Sequence, residues 1–297
     1  MIINPQAEML PVAMRQNIIF QRLHKNLTWA FAKSKFYREK FLKAQITPQD
    51  IKTLDDLANL PITTIEELQS NSLFDLLTMP LSATMRLDKT TSDLYLASTS
   101  EDIARNIDLA VRALATNDIN KTSLLVLAGD YSSQSLLNLH YAAEALGATI
   151  IPCNDGKSAL AAIDNLHANT LIITHTALNQ ILTINPNFNL PPKTILLTDK
   201  LLNPEITAIE AKFKQHLAKI YTSPEIGIPA ILFTCEQNHW HIQDDYFYPE
   251  IVDDKLILTP LTFEAMPLLR LQTKEQITLV QDKFCTCGRT FSLIHCK

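Results

Sequence analysis

Glycine is scarce in this chain, which has five glycines among 297 residues where about 7% is usual. No two of them lie within eight residues of each other: Gly129, Gly147, Gly156, Gly227 and Gly288. Loops that wrap phosphates need clustered glycines, because backbone N–H groups must approach the anion without a Cβ in the way. The sequence therefore excludes a P-loop and a GxGxxG motif. Any nucleotide site must be built differently or be missing.

Long apolar runs and clusters of positive charge are also missing. The longest apolar runs have the length of strands, as in LLVLA at 124–128, so no transmembrane helix is expected. A net charge of −5 without a Lys/Arg cluster argues against a nucleic-acid partner. The start, MIINPQAEML, does not combine a basic with an apolar region, so no signal peptide is expected. Five cysteines, an odd number, fit a reducing cytoplasm, and we expect a cytoplasmic protein without a membrane partner.

Regular alternation of two patterns marks residues 100–225. Compact apolar runs rich in β-branched residues lie at 124–128, 149–153, 170–174, 194–198 and 218–221. Amphipathic stretches of helical length lie between them, at 134–146, 158–167, 176–184 and 204–216. Buried strands that alternate with such helices predict an α/β fold with a doubly wound, mainly parallel sheet.

The two flanks of this core have different patterns. Residues 1–99 predict a helical N-terminal region, with 3.6-residue periodicity over 14–44 and Thr N-caps at Thr53 and Thr63 that begin two short helices. After residue 225 the alternation stops. Short strands are predicted at 230–234, 240–243, 247–252, 255–260 and 276–281. The predicted organisation is thus 1–99, 100–225, and a small β-rich subdomain over 226–297.

Cysteine and histidine form two pairs in that last part. Cys235 and His241 lie six positions apart, and about forty residues later Cys285 and Cys287 flank a single residue. Four soft ligands in two pairs are what a closed tetrahedral zinc site needs. The spacing is not that of a zinc finger, so on spacing alone ordinary reduced cysteines remain an alternative. His239 is the competing imidazole.

Other candidate residues have simpler interpretations. Asp244 and Asp245 are typical of a solvated pair at the start of a strand, and His140 is typical of a buried histidine with satisfied hydrogen bonds. Arg270 is open to two interpretations, an anion contact or a structural salt bridge. The serines at 132, 133 and 135 lack a G-x-S-x-G elbow, which excludes serine-hydrolase chemistry.

Several segments together resemble the phenylacetate–coenzyme A ligase branch of the adenylate-forming enzymes. The resemblance is carried by SKFYREKF (34–41), ITPQDIKTLDDLANLPITTIEEL (46–68), AAEALGATIIP (142–152), CEQNHWHIQDDYFYPEIVD (235–253), LTPLTFEAMPLLRLQT (258–273) and CTCGRT (285–290). It is collinear from about residue 15 to 292. It implies the large N-terminal domain of an enzyme that activates a carboxylic acid with ATP and Mg²⁺ and then forms a coenzyme A thioester.

The resemblance also implies roles for single residues. Tyr221 would stack on adenine, Glu225 would hold Mg²⁺, and Glu275, where the family has an aspartate, would contact the ribose. Arg270 is the fourth candidate for a nucleotide contact. A small aromatic or acyl carboxylate is the implied ligand. The zinc hypothesis gains support, because Cys235, His241, Cys285 and Cys287 all belong to matched segments.

The departures from the family fall where its chemistry takes place. Its glycine-rich phosphate loop aligns with residues 89–100, which contain no glycine. Thr222 and Pro224 replace the glycine and threonine of its Tyr–Gly–x–Thr–Glu motif. Family members continue into a lid with a catalytic lysine, whereas these residues end at Lys297, so we expect the lid domain to be absent.

The free energies involved indicate how strongly these departures should affect adenylation. A preorganised donor to developing charge is worth about 3 kcal/mol, so losing several predicts weak or absent adenylation by the chain alone. Whether the chain is an enzyme stays open. The alternatives are a non-catalytic module that binds a small acid or a protein, and a split ligase that needs a separate lid subunit. A homodimer and a separate lid protein are the candidate partners.

Overall fold

The computed structural model of the chain describes residues 1–90, 93–223, 225–280 and 285–296. The N-terminal part is mainly helical, with α1 (Pro5–Glu8), α2 (Val12–Lys33), α3 (Lys35–Lys43), α4 (Ile65–Gln69) and α5 (Leu73–Leu76). Three 3₁₀ turns lie among them, Pro48–Asp50, Asp55–Asn59 and Leu81–Ala83. The helical N-terminal region is confirmed, and no described helix combines the length and apolar character needed to cross a bilayer.

A two-stranded hairpin, β1 (Arg86–Lys89) and β2 (Tyr95–Ser98), leads into α6 (Ser100–Thr116). Helix α6 begins where it does because Thr99 and Asp102 form a capping box: the Thr99 hydroxyl accepts the Asp102 N–H at 3.0 Å, and the Asp102 carboxylate accepts the Thr99 N–H at 3.1 Å. The same carboxylate accepts N–H groups of Glu264 and Ala265, so the cap also anchors a distant loop.

The core alternates strands and helices as predicted. Its elements are β3 (Leu124–Ala128), α7 (Gln134–Ala145), β4 (Thr149–Cys153), α8 (Gly156–Leu166), β5 (Thr170–Thr174), α9 (His175–Ile184), β6 (Lys193–Thr198), α10 (Pro204–Phe213) and β7 (Ala218–Tyr221). The five strands are parallel, in the order β7-β6-β5-β3-β4. Leu125 and Leu127 pack in one apolar cluster with α6 and α7, whereas Val126 and Ala128 pack in another with α8, α9 and α10. Helices therefore cover both faces, and the doubly wound parallel sheet is confirmed.

The strands after residue 225 extend this sheet instead of forming one of their own. They are β8 (Leu232–Thr234), β9 (Trp240–Ile242), β10 (Phe247–Val252), β11 (Lys255–Pro260), β12 (Leu271–Val280) and β13 (Leu293–Cys296). Strand β7 pairs in parallel with β6 and antiparallel with β8, and the antiparallel order continues β8-β9-β13-β12-β11-β10. The described residues thus contain one sheet of eleven strands, with five strands in its parallel part and six in its antiparallel part.

Buried ion pairs join the N-terminal helices to the sheet. Arg15 in α2 lies 3.0 Å from Asp244, and Arg112 in α6 lies 2.8 Å from Asp245. Both aspartates are about 95% buried, so the expectation of a solvated pair is wrong. The sequence pattern did not reveal this, because the two arginines are far from the aspartates along the chain.

Arg289, which directly follows the CxCG turn, makes the most buried of these pairs. Its Nε lies 2.7 Å from a Glu8 carboxylate oxygen, and the two side chains are 1% and 0% exposed. Arg289 also donates to the carbonyl of Met1 and the hydroxyl of Thr116. One guanidinium thus holds α1 and the C-terminal end of α6 against the turn.

We expect Glu8→Gln to lower the free energy of unfolding by about 3 kcal/mol, because it leaves the Arg289 charge buried without its partner. The matched control is Asp75→Asn, which removes the partner of the exposed Lys35 at 3.2 Å and should cost less than about 1 kcal/mol. Urea denaturation followed by circular dichroism measures both. Equal losses in the two variants would contradict the role given to the buried pair.

Candidate functional site

An opening lies where the parallel strands end. Strand β4 lies on one side of β3 and the next strand, β5, on the other, so the order reverses at β3. Open α/β sheets bind ligands at such a point, outside the carboxyl ends of the strands. Here a polar crevice of about 510 Å³ is lined by residues of several elements, including Asp88, Gly129, Asn154, Thr174, Asp199 and Thr222. Its volume is that of a site for a small molecule.

Most residues in the lining of the polar crevice carry a hydroxyl, amide or carboxylate group. Twelve of its side chains carry a hydroxyl or an amide, namely Thr90, Ser132, Ser133, Gln134, Ser135, Asn154, Thr174, Thr176, Gln180, Thr198, Thr222 and Ser223. Among the described lining residues there is no Phe, Tyr or Trp. The crevice therefore offers many hydrogen-bonding groups, and His175 is the one aromatic ring among its described lining residues.

A second, apolar cavity lies beside the crevice and is much smaller. Its volume is about 20 Å³, and its lining includes Leu96, Ile226, Ile228, Phe263 and Met266. A cavity that binds benzene measures about 150 Å³, whereas one water fits in roughly 10–15 Å³. The apolar cavity thus has room for a single water molecule and not for an aromatic ring.

Tyr221 and Glu225, two residues of the family's nucleotide motif, are inside the protein. Tyr221 ends β7 and is 1% exposed, and Glu225 is 2% exposed. Burial, followed by the nearby Glu275 and Glu225 carboxylates, raises the pKa of Tyr221 well above its usual value. The Glu225 carboxylate accepts a hydrogen bond from Ser223 at 2.8 Å. Neither residue lines the polar crevice, and Pro224 between them lies outside the described residues.

Glu275 and Arg270 are also engaged with the protein. A Glu275 oxygen accepts the N–H of Leu201 at 3.0 Å, and its pKa is raised by burial and then by the carboxylates of Glu225 and Asp199. The Arg270 guanidinium lies 2.9 Å from Glu250 and donates to the carbonyls of Ala58 and Leu60. The contact of Arg270 with Glu250 is a structural salt bridge, one of the two interpretations that the sequence left open. Neither residue lines the crevice.

Residues 89–100, which align with the phosphate loop, are used by the fold where they are described. Lys89 ends β1 and pairs with Asp93 at 2.7 Å. Strand β2 follows, and Thr99 caps α6. Thr91 and Ser92 lie outside the described residues. The described part of the segment is thus a hairpin and a helix cap.

The Cys/His cluster, Cys235, His241, Cys285 and Cys287, forms at a different place, between two turns of the antiparallel half. Cys235 follows β8 and begins a turn that closes with the Asn238 N–H on its carbonyl at 2.8 Å. His241 lies on β9, the neighbouring strand. Cys285 and Cys287 precede β13, which pairs with β9, and Gly288 follows at φ +89°, a conformation that favours glycine.

The four side chains of the Cys/His cluster have the geometry of a metal site. Their donor atoms all lie within 4.8 Å of one another. The sulfurs of Cys235 and Cys285 are 3.6 Å apart, and the Cys287 sulfur is 3.4 Å from Nε2 of His241. Tetrahedral Zn–S and Zn–N bonds of about 2.3 and 2.0 Å place neighbouring ligand atoms about 3.5–3.8 Å apart. The cluster therefore fits a four-coordinate metal ion.

The surroundings favour an ionised sulfur at Cys287, whereas the pKa of Cys235 is raised by its hydrogen bond with Cys287 and that of Cys285 by burial. The pKa of Cys287 is lowered to about 2, first by its hydrogen bond with the Cys235 thiol and then by His241. The Cys287 N–H lies 3.5 Å from the Cys285 sulfur, and Nδ1 of His239 lies 3.4 Å from the same sulfur. His239 thus contacts one cysteine of the cluster, whereas His241 is the imidazole whose position completes the four.

The residues that line the polar crevice were not predicted from the sequence. A usable signal was present, because Asp130, Asn154 and Asp199 each come one or two residues after a predicted parallel strand. The carboxyl ends of parallel strands meet at one edge, where polar side chains collect around a ligand. Asp88 lies on the hairpin strand β1, which the sequence pattern did not predict.

No family model matches the chain, but individual proteins do. It is 27% identical to the phenylacetate-coenzyme A ligase of Thermus thermophilus, over 98% of this chain and 71% of that protein. It is also 27% identical to the phenylacetate-coenzyme A ligase of Escherichia coli, over 91% of this chain and 68% of that protein. In both cases the match leaves about three tenths of the relative uncovered.

Solved structures agree on the fold. The open conformation of 2-hydroxyisobutyryl-CoA ligase, in complex with 2-HIB-AMP and CoA, superposes with a TM-score of 0.87 at 18% identity. The superposition covers 98% of this chain and 75% of that one. In sequence and in fold, the chain resembles the phenylacetate–coenzyme A ligase branch of the adenylate-forming enzymes.

Proposed function

We propose that this chain is a phenylacetate–coenzyme A ligase relative that no longer adenylates an acid by itself and uses the fold to bind a small molecule. One observation carries the proposal: Tyr221, Glu225, Arg270 and Glu275, the residues that would hold the nucleotide, contact the protein and do not line the polar crevice. A tyrosine ring that is 1% exposed has no free face for adenine. The chain therefore retains these residue types without retaining the nucleotide site that they would form.

Electrostatics supports the same proposal. The described lining of the polar crevice contains one Lys or Arg, Lys89, and Asp93 pairs with it. Three carboxylates, Asp88, Asp130 and Asp199, belong to the lining. Phosphoryl transfer needs cations and backbone donors around the phosphates, whereas these carboxylates repel a triphosphate. The described residues of segment 89–100 form a hairpin and a helix cap, and Lys89 is the one cation among them.

A second candidate is a ligase that works only with a partner protein. The persistence of Tyr221 and Glu225, and of a carboxylate at Glu275 where the family has an aspartate, favours it. A partner would then have to move the residues that pack around Tyr221 to expose its ring. Pyrophosphate exchange that appears only when a second protein is added would support this candidate.

We further propose that the Cys/His cluster binds one Zn²⁺ with a structural role. Four protein ligands leave no open position for catalysis, and a metal that joins two turns contributes to folding. The site would connect the turn after β8 to the turn before β13. The contacts of 3.4 and 3.6 Å within the cluster support this assignment.

We expect no ATP–pyrophosphate exchange by the purified chain with phenylacetate, ATP and Mg²⁺, because Tyr221, Glu225 and Arg270 are buried. The Escherichia coli ligase assayed in parallel is the positive control. Calorimetry with ATP·Mg²⁺ should detect no binding tighter than about 1 mM, a free energy of about −4 kcal/mol. Exchange above the background of heat-denatured protein would contradict the proposal.

For zinc, we expect about one equivalent per chain after purification without added metal. Cys287→Ser should lower this content and the melting temperature, because it removes one of four ligands. Cys153→Ser, a buried cysteine outside the cluster, is the matched control and should leave zinc unchanged. Elemental analysis measures the content.

Histidine variants test which imidazole is the ligand. His241→Ala should release zinc, and His239→Ala should retain it. The opposite result would assign the fourth position to His239, and wild-type protein without zinc would remove the assignment altogether.

A further inference from the structure

The charges and hydrogen-bonding groups of the polar crevice define the class of molecule it can hold. Asp88 extends into it from β1, Asp130 follows β3, and Asp199 follows β6. Oδ2 of Asp88 is buried and has no hydrogen-bond partner among the described residues. A buried acceptor without a donor is unfavourable unless a ligand or water supplies one. The crevice thus offers acceptors to a molecule that brings donors.

Donors to a ligand are present as well. The N–H groups of Gln134, Ser135 and Leu136 belong to the first turn of α7, where no intrahelical partner exists. Their residues line the crevice, beside the side chains of Ser132 and Ser133. Ser133, the N-cap residue, makes no side-chain capping bond. The opening therefore offers both donors and acceptors, a combination that hydroxyl groups, each a donor and an acceptor, match best.

An aromatic carboxylate fits neither opening. In the crevice its carboxylate would lie among Asp88, Asp130 and Asp199, and its ring would find no Phe, Tyr or Trp in the described lining. The apolar cavity, at about 20 Å³, is too small for the ring. The substrate class named for the relatives is thus a poor match to this chain.

We propose that the polar crevice binds a small polyhydroxylated molecule that is uncharged or positively charged, and that it excludes aromatic carboxylates. The inference rests on the proposed function, since a binding protein without adenylation leaves the crevice free for such a ligand. Hydroxyl groups would bond to the carboxylates and to the first turn of α7. An ammonium group on the ligand would gain further from the three aspartates.

The probes are D-glucosamine, D-glucose, D-gluconate and phenylacetate, each titrated into the full chain by ligand-observed NMR. The first three share a polyol backbone and differ in charge. We expect D-glucosamine to bind most tightly, D-glucose more weakly, and D-gluconate at least tenfold more weakly than D-glucosamine. Phenylacetate should not bind. Binding of phenylacetate, or of D-gluconate as tightly as D-glucosamine, overturns the proposal, as does binding of none of the polyols.

Matched variants locate the binding. Thr176 lines the crevice at the start of α9, whereas Thr183 is exposed on the same helix and does not. Thr176→Trp should abolish binding of D-glucosamine and Thr183→Trp should retain it, because only the first fills the crevice. Equal binding by the two variants overturns the location.

A charge variant covers the case in which Thr176→Trp does not fold. Asp199→Asn should reduce the ratio of the dissociation constants of D-gluconate and D-glucosamine at least threefold. An unchanged ratio contradicts the proposed role of the carboxylates in selecting the ligand by charge. Pyrophosphate exchange by the same samples separates two failures. Exchange activity defeats the proposed function, whereas absence of both exchange and polyol binding defeats only this inference.

Discussion

The pairing of β7 with β8 is the interaction on which the rest of the structure depends. Ile220 lies opposite Phe233 and Tyr221 opposite Leu232 in this antiparallel pair, which joins the parallel half of the sheet to the antiparallel half. Phe233 packs in the core beside Ile220, stacks on His241 with ring centroids 5.9 Å apart, and lies under the Arg289 guanidinium at 5.6 Å. One strand pair thus connects the crevice, the Cys/His cluster and the N-terminal helices.

Alternation along β7 has a consequence for the nucleotide motif. Ile220 packs in the cluster formed with α6 and α7, whereas Tyr221 packs in a third apolar cluster, which includes Ile226, Leu232 and residues of α2 and α3. Successive side chains of a strand point to opposite faces, so the sheet determines the face on which Tyr221 lies. Apolar residues from distant parts of the chain pack in its cluster. Burial of Tyr221 therefore depends on this long-range packing and not on one substitution.

The sequence predicted the core well because parallel strands buried on both faces have a strong signal. Four of the five predicted runs, at 124–128, 149–153, 170–174 and 218–221, coincide with β3, β4, β5 and β7, and β6 begins one residue earlier than predicted. The Cys/His cluster was predicted by residue type and spacing. The hairpin β1–β2 and β13 were not predicted, since short strands with mixed polarity lack that signal.

The sequence motif could not show whether the side chains of its residues are exposed to solvent. Tyr221 and Glu225 match the family pattern as letters, but whether a side chain lines an opening depends on residues distant in sequence. The same holds for Asp244 and Asp245, whose partners Arg15 and Arg112 lie more than 130 positions earlier. Local patterns specify elements and ligand types, whereas long-range packing determines which polar groups meet solvent.

The most direct test of the account is a crystal structure grown with AMP and D-glucosamine present together. The account predicts that the Tyr221 ring and the Glu225 carboxylate stay buried, that no adenine lies on Tyr221, and that density for D-glucosamine lies beside Asp88 and Asp199. Adenine stacked on an exposed Tyr221, with the ribose hydroxyls on Glu275, would contradict it.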